Sequence, residues 1–154
     1  MPEAAQTPPE TQQGFVEPYG SYNFRLEIQG IESARFTECF GLGVKIQSIE
    51  YREGGIGQVV HHLPGPVRYG DVELRYGLTS STQLWEWFMA AVAGNVARKN
   101  VSVVVLQADG VQEAIRWNLE NAWPCEWRGA ALDALGQEVA IETLRLVYES
   151  LERA

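Results

Sequence analysis

Cysteine and histidine are scarce, two of each in 154 residues. Cys39 and Cys125 cannot build a disulfide framework, and so few thiols suit a reducing compartment. His61 and His62 are neighbours, and neighbours on a strand point to opposite faces, so they do not converge on one metal ion. Their plain reading is a pair of exposed polar residues in a loop. Basic charge is also short: 12 Lys and Arg face 20 Asp and Glu, a net charge of -8. Binding a nucleic-acid backbone takes clustered Lys and Arg, so that class of partner is excluded. The acidic residues are spread along the chain, where they serve solubility. No apolar run approaches the ~20 residues of a membrane helix. Met1 to Gly14 has no basic residue ahead of an apolar stretch, the arrangement a secretory signal needs. The expectation is a chain synthesised in the cytoplasm without a signal peptide.

Catalytic signatures are missing too. Cys39 lies between Glu38 and Phe40, and Cys125 follows Pro124 among aromatics, without the base and orienting group that a nucleophile requires. Such cysteines are small core residues. Gly54-Gly55-Ile56-Gly57 lacks the Gly-Lys-Ser/Thr ending of a phosphate loop, and Ser80-Ser81 has no nucleophile elbow around it. No spacing marks a pair of carboxylates for sugar hydrolysis. The expectation is no enzyme, no cofactor and no metal. The five tryptophans, Trp85, Trp87, Trp117, Trp123 and Trp127, are read as core and subunit interface. A ligand groove is the alternative, and an acidic chain without basic interleaving disfavours it.

What is present is alternation. Residues 1–18 are rich in Pro, Gln, Glu and Thr and form an expected flexible arm; 19–154 form an expected single domain. Tyr22, Phe24, Leu26 and Ile28 alternate with Asn23, Arg25, Glu27 and Gln29, the period of a strand with one buried face. A second strand covers Val44 to Arg52, with a phase slip near Ser48 that predicts a bulge. The stretch from Glu53 to Pro66, with its glycines and Pro64-Gly65-Pro66, reads as a long excursion between strands. Strands follow at Asp71–Tyr76, Val101–Gln107 and Ala114–Asn121, with a turn at Ala108-Asp109-Gly110. Between them lies a helix. Ser80 and Gln83 have capping-box spacing, Leu84, Phe88, Ala91 and Val92 form its apolar stripe with Trp85 and Trp87 widening it, and Gly94 closes it. Val139 to Leu151 fits helix and strand equally. The fold class is mainly β with one helix: about six antiparallel strands in a barrel or sandwich with a flanking α-helix.

An ordered set of motifs carries a resemblance. It runs from Tyr22-Asn23-Phe24-Arg25-Leu26-Glu27-Ile28 and Gly30, through Phe36-Thr37-Glu38-Cys39-Phe40-Gly41-Leu42, to Glu50-Tyr51-Arg52-Glu53-Gly54-Gly55 and Leu63-Pro64-Gly65. It continues with Leu74-Arg75-Tyr76-Gly77-Leu78-Thr79, Leu84-Trp85-Trp87, Trp117-Asn118-Leu119 and Ala122-Trp123-Pro124, and ends with Val139-Ala140-Ile141-Glu142-Thr143-Leu144. In this order and spacing, the chain resembles the phage tail-tube family, typified by the major tube protein of T4-like phages, with relatives in contractile injection systems. The likeness covers about Tyr19 to Leu151.

The resemblance implies a structural subunit with a tail-tube-like β-fold. Such subunits form hexameric rings that stack into a tube around a lumen. The partners implied are further copies of the chain, a contractile sheath protein, a baseplate or spike hub and a tube terminator, with cargo in the lumen. A baseplate-proximal initiator ring is the alternative within the same machine, and a small ligand-binding β-domain the alternative outside it. The resemblance also assigns the C-terminal run to a strand. The expected contact between rings is Gly54, Gly55, Ile56, Gly57, Val59, Val60 and Leu63, whose apolar members would be a liability on a lone monomer. The expected lumen lining comes from the polar strand faces, Arg25, Glu27, Asp71, Glu73, Arg75, Arg116, Asn118 and Glu120.

Overall fold

A computed structural model describes residues 18–31, 35–54 and 59–154. The expected arm, apart from Pro18, lies outside these, as do Gly55, Ile56 and Gly57. The described elements are β1 (Phe24–Ile28), β2 (Phe36–Phe40), β3 (Val44–Arg52), β4 (Val60–Tyr69), β5 (Val72–Gly77), α1 (Gln83–Val92), β6 (Lys99–Leu106), β7 (Glu113–Arg128), β8 (Ile141–Val147) and β9 (Ser150–Arg153). Seven strands form one antiparallel sheet in the order β1-β6-β7-β8-β5-β2, with β9 also on β7, and β3 and β4 make a separate two-stranded ribbon. The sheet falls into two halves that share β7. Its N-terminal part pairs with β6 and β9, and its C-terminal part with β8. Among the described residues β1 and β2 do not pair, so the architecture is sandwich-like and not a closed barrel.

The core lies where the alternation predicts. Val72, Leu74 and Tyr76 of β5, Leu144 and Leu146 of β8, Val101 and Val103 of β6 and Leu119 of β7 are buried together with Leu84 and Trp87 of α1. The C-terminal run is a strand because Leu144, Leu146 and Tyr148 are all buried at period two, a face that a helix would scatter. β7 keeps its core face through two irregularities. Trp117 and Leu119 face inward, then a register shift at Asn121 (φ 53°) restarts the phase with Ala122 and Pro124. A second shift between Pro124 and Glu126 restarts it again with Trp127, and Pro124 sits beside that bulge, where proline is tolerated.

Three expectations are corrected. The stretch after Glu53 is not an irregular excursion, because Val60–Tyr69 is strand β4, paired with β3 across a bulge opposite Gln47. The helix starts at Thr82, not Ser80. Thr82 makes no side-chain cap to the backbone, and its hydroxyl instead donates to Glu86 at 3.1 Å. The helix stripe is narrower than expected: Leu84 and Trp87 are buried and Phe88 is half-buried, but Trp85 and Val92 are exposed. Trp87 is fixed by its indole N–H, which donates to the carbonyl of Ala97 at 2.7 Å. Gly94 does close the helix, with φ 90°. Its N–H reaches the carbonyl of Ala91 and the N–H of Asn95 that of Ala90, the paired bonds of a Schellman motif.

Candidate functional site

Assembly surfaces begin with the polar face of the sheet. Seven of the eight lumen candidates lie on strands, and Asp71 just precedes β5. Arg25 and Glu27 of β1 and Arg116, Asn118 and Glu120 of β7 share the outer face of one half-sheet. Arg116 donates to Glu27 at 2.8 Å and to Glu113 at 3.0 Å, while Arg25 meets Glu27 at 3.1 Å. These bonds hold Glu27 and Glu113 below the usual carboxylate range and raise Arg116 further. Val104 is in register with both Arg25 and Arg116 and is fully buried outside the core cluster. Asn118 accepts from Ser102 at 2.8 Å, and Glu120 from Ser150 at 3.0 Å.

Glu73 and Arg75 occupy the outer face of the other half-sheet. Arg128 donates to Glu73 at 3.1 Å, Arg75 to Glu38 at 3.1 Å, and Arg145 reaches Asp71 at 3.7 Å and also pairs with Glu126. The guanidinium of Arg75 also lies over the ring of Phe40. The structure therefore gathers the eight candidates into two hydrogen-bonded and ion-paired fields. Sequence reasoning missed Glu38, Glu113, Glu126, Arg128 and Arg145. Arg145 was legible as the polar alternate between Leu144 and Leu146 once that run is a strand.

The ribbon β3–β4 is the second surface. It leaves the sheet at Gly41–Gly43 and returns at Gly70, where the Gly70 N–H donates to the Gly43 carbonyl at 2.8 Å and the Tyr148 hydroxyl to the same oxygen at 3.2 Å. Every residue of β3 is exposed. Its apolar cross-strand pairs change face at the bulge. Val44 opposite Tyr69 and Ile46 opposite Val67 lie on one face, and Ile49 opposite Leu63 and Tyr51 opposite His61 lie on the other. Of the inter-ring candidates, Gly54 is exposed beside β3, Val59 is exposed before β4, and Val60 and Leu63 are on β4. The ribbon also exposes Ile46, Ile49, Tyr51 and Val67, which are not among those candidates. His61 and His62 lie on β4, exposed and facing opposite ways, with Ser48 3.1 Å from His62.

The third feature is an open cavity of about 780 Å³ at the far end of β5, walled by Tyr76, Leu78, Leu84, Trp85, Trp127 and Glu142 among others. The rings of Trp85 and Trp127 meet edge to face with centroids 4.7 Å apart, and the Trp127 indole donates to Glu142 at 3.3 Å. The Tyr76 hydroxyl is buried in this wall without a well-formed hydrogen bond among the described residues, and burial, with the charge of nearby Glu142, raises its pKa. Among the described residues no group of three or more His, Cys, Asp and Glu is placed to hold a metal. Burial pushes the Cys39 thiol up to about 11 and raises Cys125, so both are poor nucleophiles. No helix among the described residues is long and apolar enough to cross a membrane.

The family model of the T4-like virus tail tube protein gp19 matches residues 20–152. The chain belongs to this tail-tube family. Among solved structures, this tail-tube chain is similar to one in the anti-feeding prophage tube terminating cap, with 25% identity, TM-score 0.81 and coverage of 91% of this chain and 93% of that one. It is also similar to a chain of the PVC extracellular contractile injection system, in the sheath-tube complex in its extended state, with 25% identity, TM-score 0.79 and coverage of 89% and 91%. Hcp1 from Flavobacterium johnsoniae shares the fold at 18% identity and TM-score 0.55, over 86% of this chain and 94% of that one. No curated protein matches the sequence.

Proposed function

We propose that the chain is a structural subunit of the inner tube of a contractile phage tail or a phage-like contractile injection system. The observation that carries this reading is the family match, which spans nearly all of the described residues. The subunits assemble into hexameric rings that stack around a lumen inside a contractile sheath, with a baseplate and a terminator at the two ends. The edges of β1 and β2, which pair with no further strand among the described residues, support ring formation, since such edges need covering and a neighbouring subunit's strand would do it. The lumen is lined by the charged face of the sheet, where Arg25, Glu27, Arg116, Asn118, Glu120, Asp71, Glu73 and Arg75 gather. The ribbon, including Val59, Val60 and Leu63, reaches the adjoining ring. The protein works by assembly and not by catalysis; the protonated, half-buried thiols support that.

Electron microscopy of the purified full chain, alone and with its sheath protein, tests the proposal. Six-fold rings and stacked tubes are the expected result. A chain that stays monomeric at every concentration and with the sheath protein present would overturn it.

A further inference from the structure

Among the described residues neither the outer half of the ribbon nor the cavity is covered, and the two sit at opposite ends of one half-sheet. Gly70 and Asp71, at the root of the ribbon, precede Val72, where β5 begins. Leu78, in the cavity wall, follows Gly77, where β5 ends. β2 runs antiparallel beside it, so that Phe40 leads into the ribbon while Arg35, at its other end, lines the cavity. The two features therefore lie about 20 Å apart along a six-residue strand, given ~3.3 Å per residue.

Each feature also needs something that it does not have. A two-stranded hairpin is marginal in water unless a further strand or a packed surface supports it. The outer half of this one shows Ile49, Tyr51 and Leu63 on a single face, each about half exposed. The cavity offers Leu78, Leu84, Trp85 and Trp127 as apolar wall, and Trp85 remains 42% exposed.

We infer that the cavity under the Trp85–Trp127 pair is the seat for the outer half of the β3–β4 ribbon of a second copy in the adjoining ring. This rests on the tube reading above and adds the receiving surface to it. A projection at one end and its seat at the other make a head-to-tail contact that does not close, so it repeats along an axis and lengthens a stack. Trp85 and Leu84 cover the Ile49, Tyr51 and Leu63 face.

The test places the photo-crosslinking residue benzoylphenylalanine at position 63 of the full chain, allows assembly, irradiates, and identifies the joined peptides by mass spectrometry. The expected product joins position 63 to the segment 78–85 or to Trp127 of another copy, and covalent species larger than a hexamer appear. Tubes whose cross-links fall elsewhere, or whose covalent species stop at the hexamer, would overturn the seat and leave the tube reading standing. If the probe itself blocks assembly, Trp85→Ala decides. Its exposed side chain makes the domain tolerant of the change, and the expected result is folded protein and intact rings with a tenfold or greater rise in the concentration needed for tubes. Unchanged tube growth in Trp85→Ala overturns the inference. Wild-type chain that forms neither rings nor tubes overturns the tube reading and the seat with it.

Discussion

Two glycines at the root of the ribbon differ sharply in what a methyl group would meet. Gly41 has φ 92°, and a Cβ built there lies 2.2 Å from the backbone oxygen of Asp71. Gly43 carries no positive φ, and its nearest neighbour would be the Gly41 carbonyl oxygen at 3.9 Å, ordinary contact. Alanine at position 41 meets a left-handed backbone, which costs about 1–2 kcal/mol. It also forces a backbone-to-backbone overlap that no rotamer change relieves, adding roughly 1–3 kcal/mol by the measure of overpacked cores. The sum, about 2–5 kcal/mol, corresponds to a fall in Tm of roughly 4–20 °C for a chain of this size. Alanine at 43 keeps the carbonyl that Gly70 and Tyr148 use, and the narrower unfolded ensemble stabilises it by about 0.4–1 kcal/mol. Thermal and urea unfolding by circular dichroism, below the concentration at which the chain assembles, compares the two. Gly41→Ala within 1 kcal/mol of wild type, or the two variants equally destabilised, would refute the steric account of the ribbon's root.

Leu144 is fully buried at the centre of β8 between β5 and β7, so Leu144→Ala should destabilise the domain by about 2–5 kcal/mol in urea titration; a loss under 1 kcal/mol would place the core elsewhere. Glu27 is held below the ordinary carboxylate range mainly by Arg116, so its contribution to stability is present above about pH 4.3 and lost as the pH falls through its lower folded value. Glu27→Gln should therefore flatten the acid limb of a stability–pH curve, and an unaltered limb would mean that the ion pair contributes nothing.

Much of the fold was legible because burial on one face writes itself as period two. β1, β3, β5 and β6 were found with small boundary errors, since each keeps one phase or slips once. β7 was cut short at Asn121 because the inward residues 117, 119, 122, 124 and 127 do not alternate as a single series; two bulges each insert one residue. β4 was read as an excursion because Pro64, Gly65 and Pro66 are breakers in most strands. Here they lie on a two-stranded ribbon at a bulge, where Gly65 closes against the Gln47 carbonyl and, among the described residues, no second ladder calls for the N–H that proline lacks. β2 breaks its alternation with a register shift between Phe36 and Glu38, and the four residues of β9 are too few for periodicity to register. The charged face was legible strand by strand, but its ion pairs join residues up to 89 positions apart, such as Arg116 and Glu27, and only the sheet order brings them together. The cavity was not legible at all, because its walls come from β5, the turn before α1, the first turn of α1 and the ends of β7 and β2.

The seam along β7 has a mechanical meaning. Sixteen residues of extended chain reach about 50 Å, and β9 and β8 run beside residues 117–128 of it as one broken antiparallel line. The two half-sheets are therefore joined by continuous covalent backbone on both sides of the seam. A force that pulls one half along the strands relative to the other loads many ladder hydrogen bonds together in shear, and none can be peeled singly from an edge. A rod built from such subunits would fail first where one chain meets the next, leaving the individual domains whole.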